Sequence, residues 1–212
     1  MPHSRKPENV KINSILDVVA KNLEEANKAD SLVREIDLRY TRLFKFMTPA
    51  EKENWHYIKQ SIAWRLLLAI SRVVESSGRG VERQNIYKLK HVLINADQSL
   101  FTDKGKVENS ISELVKKINQ PIVKKIKDSR DSFIAHSLGN NFKPNLTISE
   151  LSSYLADIDW LVDAIHEGVN GYHSRIIRSF TKDKKAIKEW GIKALPLKRR
   201  TQEVEFGSDG GI

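Results

Sequence analysis

The stretch SRDSFIAHS (129–137) sets Arg130, a permanent cation, six positions before His136, a side chain that titrates near neutrality. Such a pair suits phosphate chemistry. A guanidinium offsets charge building on phosphoryl oxygens, and an imidazole moves a proton. Spacing alone is what chance supplies in a chain with 13 arginines and 6 histidines, so position has to carry the argument. An apolar stripe runs through Ile111, Val115, Ile118, Ile122, Ile126 and Phe133. At about 100° per helical residue, Arg130 falls about 40° to one side of Ile126 and His136 about 80° to the other. Both therefore flank the face that packs, and Asp131 points away from it. His136 also ends the pattern, where the helix dipole favours its protonated form. A structural reading competes. In it Arg130 reaches a carboxylate to make one buried ion pair, and His136 caps carbonyls near Gly139.

The elements that must hold these residues read as helices throughout. Apolar residues from Ile15 to Met47 recur every three or four positions and predict a first helix over 13–47. Thr48-Pro49-Ala50-Glu51 supplies a cap, a proline in the first turn and a carboxylate three residues on, opening a second helix that ends near Ser76-Ser77-Gly78. A shorter helix covers roughly 83–97. A fourth is expected from Val107 to Leu138, kinked at Pro121, and ended by Gly139-Asn140-Asn141. Thr147-Ile148-Ser149-Glu150 repeats the capping pattern and starts a fifth, which Gly168 and Gly171 either weaken or bring into close contact with a neighbour. Thr181 caps a last short helix through Trp190. The fold class expected is all-α: a bundle of about five main helices plus a short C-terminal one. Residues 1–12 form a flexible start, 13–180 the bundle, and 181–212 a basic tail.

Composition narrows the function classes. Without cysteine there are no disulfides and no thiol catalysis, and zinc would have to rely on histidine and carboxylates. His166 and His173 lie seven apart, too far for one metal, and Asp163 with His166 reads as solvated surface. No metal or cofactor is expected. The opening MPHSRKPENVK lacks a signal-peptide core, and IAWRLLLAI (62–70) is short and carries Arg65. A cytoplasmic protein with no membrane contact is therefore expected. The net charge of +9 gathers in two places. One, in 174–200, includes Arg175, Arg178, Lys182 and Lys185. The other spans Lys116 to Arg130, includes Lys124 and Lys127, and is offset locally by Asp128 alone. Such clusters attract polyanions, of which RNA is a common one. The four tryptophans (55, 64, 160 and 190) read as core or interface anchors, with Trp190 the one candidate for stacking on bases.

Arg130-Asp131-Ser132-Phe133-Ile134-Ala135-His136 resembles the signature of the HEPN superfamily: arginine, a polar residue, a short spacer and histidine. The segment Leu66-Leu67-Leu68-Ala69-Ile70-Ser71-Arg72-Val73-Val74-Glu75, followed by Gln84-Asn85-Ile86-Tyr87-Lys88-Leu89, is similar to the AbiU-type branch linked to abortive phage infection. The likeness spans roughly residues 45–180. It implies a homodimer that joins two signature faces, and a metal-independent endoribonuclease in which the ribose 2′-hydroxyl attacks the adjacent phosphate. His136 would transfer the proton, Arg130 would stabilise the phosphorane, and Asp131 would orient or tune them. Lys124, Lys127, Arg175, Arg178, Lys182 and Lys185 would hold RNA. Some toxin members carry a modifiable tyrosine two positions after the histidine. Leu138 stands there, so that modification is not implied, although an antitoxin or defence-system partner fits the branch. The alternative is a non-catalytic helical module that binds RNA, a nucleotide or a partner protein.

Overall fold

The computed structural model describes residues 7–75, 84–136 and 146–172. Among them are six α-helices, two short 3-10 turns and no strand: α1 (Pro7–Leu43), α2 (Pro49–Val74), α3 (Ile86–Ile94), α4 (Lys104–Ile118), α5 (Pro121–His136) and α6 (Ile148–Asn170), with 3-10 turns at Phe44–Phe46 and Gln98–Leu100. The all-α expectation holds. No described helix is long and apolar enough to cross a membrane. The helix expected after Thr181 lies outside the described residues.

The chain divides into two compact units. In the smaller, residues 28–63 fold as a hairpin from the end of α1 and the start of α2. Ile36, Leu43, Met47 and Trp55 are buried there, with Tyr40, Ile58 and Ile62 packed against them. The turn works as its sequence foretells. The Thr48 N–H donates to Glu51 Oε2 at 2.6 Å and the Glu51 N–H to Thr48 Oγ1 at 3.3 Å, so two N–H groups at the helix start are satisfied reciprocally. Lys59 closes the hairpin on Asp37 at 2.5 Å.

The larger unit includes residues 7–27 and 64–172 and holds everything relevant to Arg130. Its core takes Ile12, Leu16 and Leu23 from α1, Leu66 and Ile70 from α2, Ile86 and Leu89 from α3, Leu114 from α4, Ile126 from α5, and Leu155 and Ile158 from α6. α1 starts at Pro7, six residues before the periodicity predicts. Ile12 is fully buried and anchors that first part of the helix.

The fourth predicted helix is two. α4 stops at Ile118 and α5 restarts at Pro121, a full break where the sequence pattern predicts a kink. Pro121 lacks the N–H that would continue the ladder and crowds the preceding turn, whereas the first position of a new helix accepts it without loss. Partners from elsewhere take the carbonyls freed at the end of α4. Tyr154 Oη donates to Lys117 O at 3.4 Å, Tyr87 Oη to Ile118 O at 3.5 Å, and the Gln120 N–H to Lys117 O at 3.2 Å. Burial raises the pKa of both phenols, which keeps them as donors.

Gly168 permits the close contact between α4 and α6. A Cβ there would come within 2.6 Å of Val107 Cγ2 and 3.1 Å of the Asp103 carbonyl oxygen, and the Asp103 N–H already donates to Gly168 O at 2.8 Å. Gly168→Ala forces these helices apart and should cost about 1–3 kcal/mol in chemical denaturation. Unchanged stability would show that the helices yield freely. Gly171 ends α6 in the left-handed conformation (φ 76°), with its N–H on Glu167 O at 2.7 Å. At the other end of α6 the Thr147–Glu150 capping box forms as expected.

Asp159 on α6 is half-buried. Burial raises its pKa most, the hydrogen bond from Asn27 on α1 opposes the rise, and Asp163 adds to it. Its Oδ1 is buried with no hydrogen-bond partner among the described residues. A carboxyl with a raised folded-state pKa favours folding at low pH, and this contribution is lost as pH rises through that pKa. Asp159→Asn should therefore raise the melting temperature at pH 7, and the gain should shrink as pH falls toward 4. A gain independent of pH would contradict this assignment.

Candidate functional site

Arg130 emerges from α5 one turn after fully buried Ile126, and its side chain is only 19% exposed. Its charge is met twice. Nη1 forms an ion pair with Glu75 Oε2, while Nε at 2.9 Å and Nη2 at 2.5 Å both donate to Asp131 Oδ1. Three of its five N–H donors thus go to carboxylates. Asp131 is half exposed, on the solvent side as its helical phase predicts. Glu75 is different, with 8% of its side chain accessible. It follows the last residue of α2 and still donates its N–H to Ser71 O at 2.9 Å. A carboxylate buried that far is costly unless paired, and Arg130 supplies the pairing.

The polypeptide at Glu75 is tied in turn to α3. Asn85 is fully buried and caps α3, its Oδ1 accepting from the Lys88 N–H at 3.1 Å and its amide nitrogen donating to the Glu75 carbonyl oxygen. The end of α2, the start of α3 and the middle of α5 therefore meet at one polar node. Neither Glu75 nor Asn85 stood out in the sequence, although both fall in the segments that carried the family likeness. The available signal was an acid that directly follows Val73-Val74 in a strongly apolar helix end.

The remaining expected site residues divide three ways. His136 is the last residue of α5, and its imidazole lies outside the described residues. Arg175, Arg178, Lys182 and Lys185 also lie outside them. Lys124 and Lys127 are exposed on α5 and share a stripe with Asp131. The basic cluster around them is less free than its sequence suggests, which corrects the expectation of a run offset by Asp128 alone. Lys116 pairs with Glu113 at 2.5 Å, Lys117 with Asp157 at 2.5 Å and Lys125 with Glu150 at 2.8 Å. The Lys125 bond, with those from Thr147, holds the Glu150 carboxyl down at about 2. Lys124 and Lys127 remain the lysines of α5 with no carboxylate partner among the described residues.

No group of three potential metal ligands occurs among the described residues. His166 is occupied with Tyr172, its Nδ1 3.2 Å from that residue's carbonyl oxygen and the two rings edge to face. His173 and Trp190 lie outside the described residues. Trp55 is buried in the hairpin, whereas Trp160 stands 69% exposed on α6, unlike a core anchor.

The family model for HEPN proteins of the AbiU2 kind matches residues 26–186, a span that holds Glu75, Asn85, Arg130 and His136 together. The chain belongs to the AbiU2 family of HEPN proteins. No curated protein and no solved structure matched it. In this HEPN chain the signature arginine is gripped from two sides, by its sequence neighbour Asp131 and by Glu75 from 55 positions earlier.

Proposed function

We propose that this HEPN chain is a metal-independent endoribonuclease of the abortive-infection type, active as a homodimer in phage defence or as a toxin. The observation that carries the reading is the placement of Arg130. Its guanidinium is fixed by Glu75 and Asp131, and two of its N–H groups have no carboxylate partner among the described residues. A cation fixed in advance in a partly dry setting stabilises developing phosphoryl charge better than one that must reorganise during the reaction. The ribose 2′-oxygen attacks phosphorus as His136 takes its proton, and Arg130 meets the charge on the phosphorane oxygens. The 5′-oxygen then leaves, taking a proton from an imidazolium. The products are a 2′,3′-cyclic phosphate and a 5′-hydroxyl. In a dimer joined through the signature faces, two imidazoles are present for the two proton transfers. Asp131 orients the guanidinium. Lys124 and Lys127, with Arg175, Arg178, Lys182 and Lys185, hold the RNA backbone without regard to sequence.

Purified protein incubated with total RNA in chelator should give fragments with cyclic phosphate ends. Failure to cut across a broad set of RNAs would sink the nuclease reading. One observation favours a second reading: two carboxylates already offset the charge of Arg130, as a structural anchor requires. A non-catalytic module that binds RNA, a nucleotide or a protein is then the reading left, and it predicts retention of labelled RNA without scission.

A further inference from the structure

We infer that Glu75 and Asn85 form a positioning pair for Arg130, a role that rests on the nuclease reading and extends it to residues outside the signature. Glu75 contacts the guanidinium directly. Asn85 acts one step back. Glu75 follows the last residue of α2; its N–H still closes the final helical bond onto Ser71 O, but its own carbonyl lies at the helix end, among those that lack an intrahelical donor. The Asn85 amide clamps the Glu75 carbonyl at that point, and the α3 cap holds Asn85 in place, so both ends of its side chain are used. The carboxylate is thereby aimed before any substrate arrives.

The aim matters because a guanidinium is flat and directional. Asp131 alone, exposed and adjacent in sequence, holds the Nε side through one oxygen and leaves the plane free to swing. The contact of Glu75 with Nη1 adds a second point and fixes the plane. With the plane fixed, the N–H groups left over are fixed with it, the preorganisation that recognition of non-bridging phosphate oxygens requires. Loss of Glu75 should therefore slow chemistry more than it weakens binding, because exposed lysines elsewhere supply the general attraction for RNA.

The test combines two readouts on Glu75→Gln, Glu75→Asp and Asn85→Ser. Asn85→Ser retains an acceptor that can cap α3 but loses the amide that reaches Glu75. The first readout is rotation of the Arg130 guanidinium, seen as separate Nη resonances in ¹⁵N-edited NMR and assigned with Arg130→Lys. In the wild type the resonances should be resolved, and in Glu75→Gln and Asn85→Ser they should merge. The second readout is cleavage. In both variants kcat should fall about 10- to 100-fold with KM within about threefold, and Glu75→Asp should recover part of the loss. Unchanged Nη resonances and unchanged kcat in folded Glu75→Gln overturn the inference, as does a loss matched by the unfolded fraction alone. If wild-type protein cuts no RNA, the nuclease reading falls. The guanidinium spectra then decide the pairing by themselves: merging upholds it, and no change overturns it.

Discussion

Replacing Arg130 with alanine should lower both stability and cleavage, and the two losses separate by a second substitution. Removing the guanidinium takes the Arg130 cation away from the Glu75 carboxylate, whose side chain is only 8% exposed. Breaking a fully buried pair in this way costs about 3–5 kcal/mol. The 19% exposure of Arg130 admits some solvent screening, so about 2–3 kcal/mol is expected in urea denaturation. Arg130→Met should cost nearly as much, because the buried Glu75 carboxylate still loses its cation. Arg130→Met combined with Glu75→Leu should recover most of the stability, since an apolar pair of similar volume replaces an ion pair at little loss. Cleavage should not recover. It should stay down by about 10²- to 10³-fold in the single and the double variant, the scale of losing one stabilising donor at a developing oxyanion. A double variant that regains stability and cleaves like wild type would reduce Arg130 to a strut.

His136→Ala is expected to give the largest kinetic effect with a small structural one. Loss of a general acid–base group costs about 10²- to 10⁴-fold in rate, read under single-turnover conditions with RNA. A histidine in the last turn of a helix contributes about 1 kcal/mol through the helix dipole, and a stability change on that scale is expected. RNA affinity, measured by anisotropy with an uncleaved 2′-deoxy oligonucleotide, should stay within about threefold. Cleavage persisting at the wild-type rate would remove His136 from the mechanism.

Local chemistry was legible in the sequence, and long-range pairing was not. The Thr48–Glu51 and Thr147–Glu150 capping boxes are set within a few residues and were foreseeable, whereas the end of α6 at a left-handed Gly171 was not, and the partners that crowd Gly168, Asp103 and Val107, come from far along the chain. Nor was the break between α4 and α5 foreseeable. Ile111, Ile118, Ile122 and Ile126 hold an almost unbroken helical phase across it, and the two tyrosines that satisfy the freed carbonyls come from α3 and α6. The flank position of Arg130 was readable from phase alone, whereas its partner Glu75 lies 55 positions away, joined to it only by tertiary packing. The basic run from Lys116 to Arg130 misled for the same reason. Three of its neutralising acids, Asp157, Glu150 and Glu75, sit on other elements, while Glu113 and Asp131 lie just beside it in sequence.

An RNA oligonucleotide bearing one 2′-deoxyribose at a mapped cut position offers the most direct measurement, its fragments weighed by mass spectrometry in chelator. Scission should vanish at that position alone, while neighbouring cuts continue and leave cyclic phosphates. Undiminished scission at the deoxyribose, or fragments ending in a plain 3′-hydroxyl, would mean that the attacking oxygen is not the one assigned to the ribose.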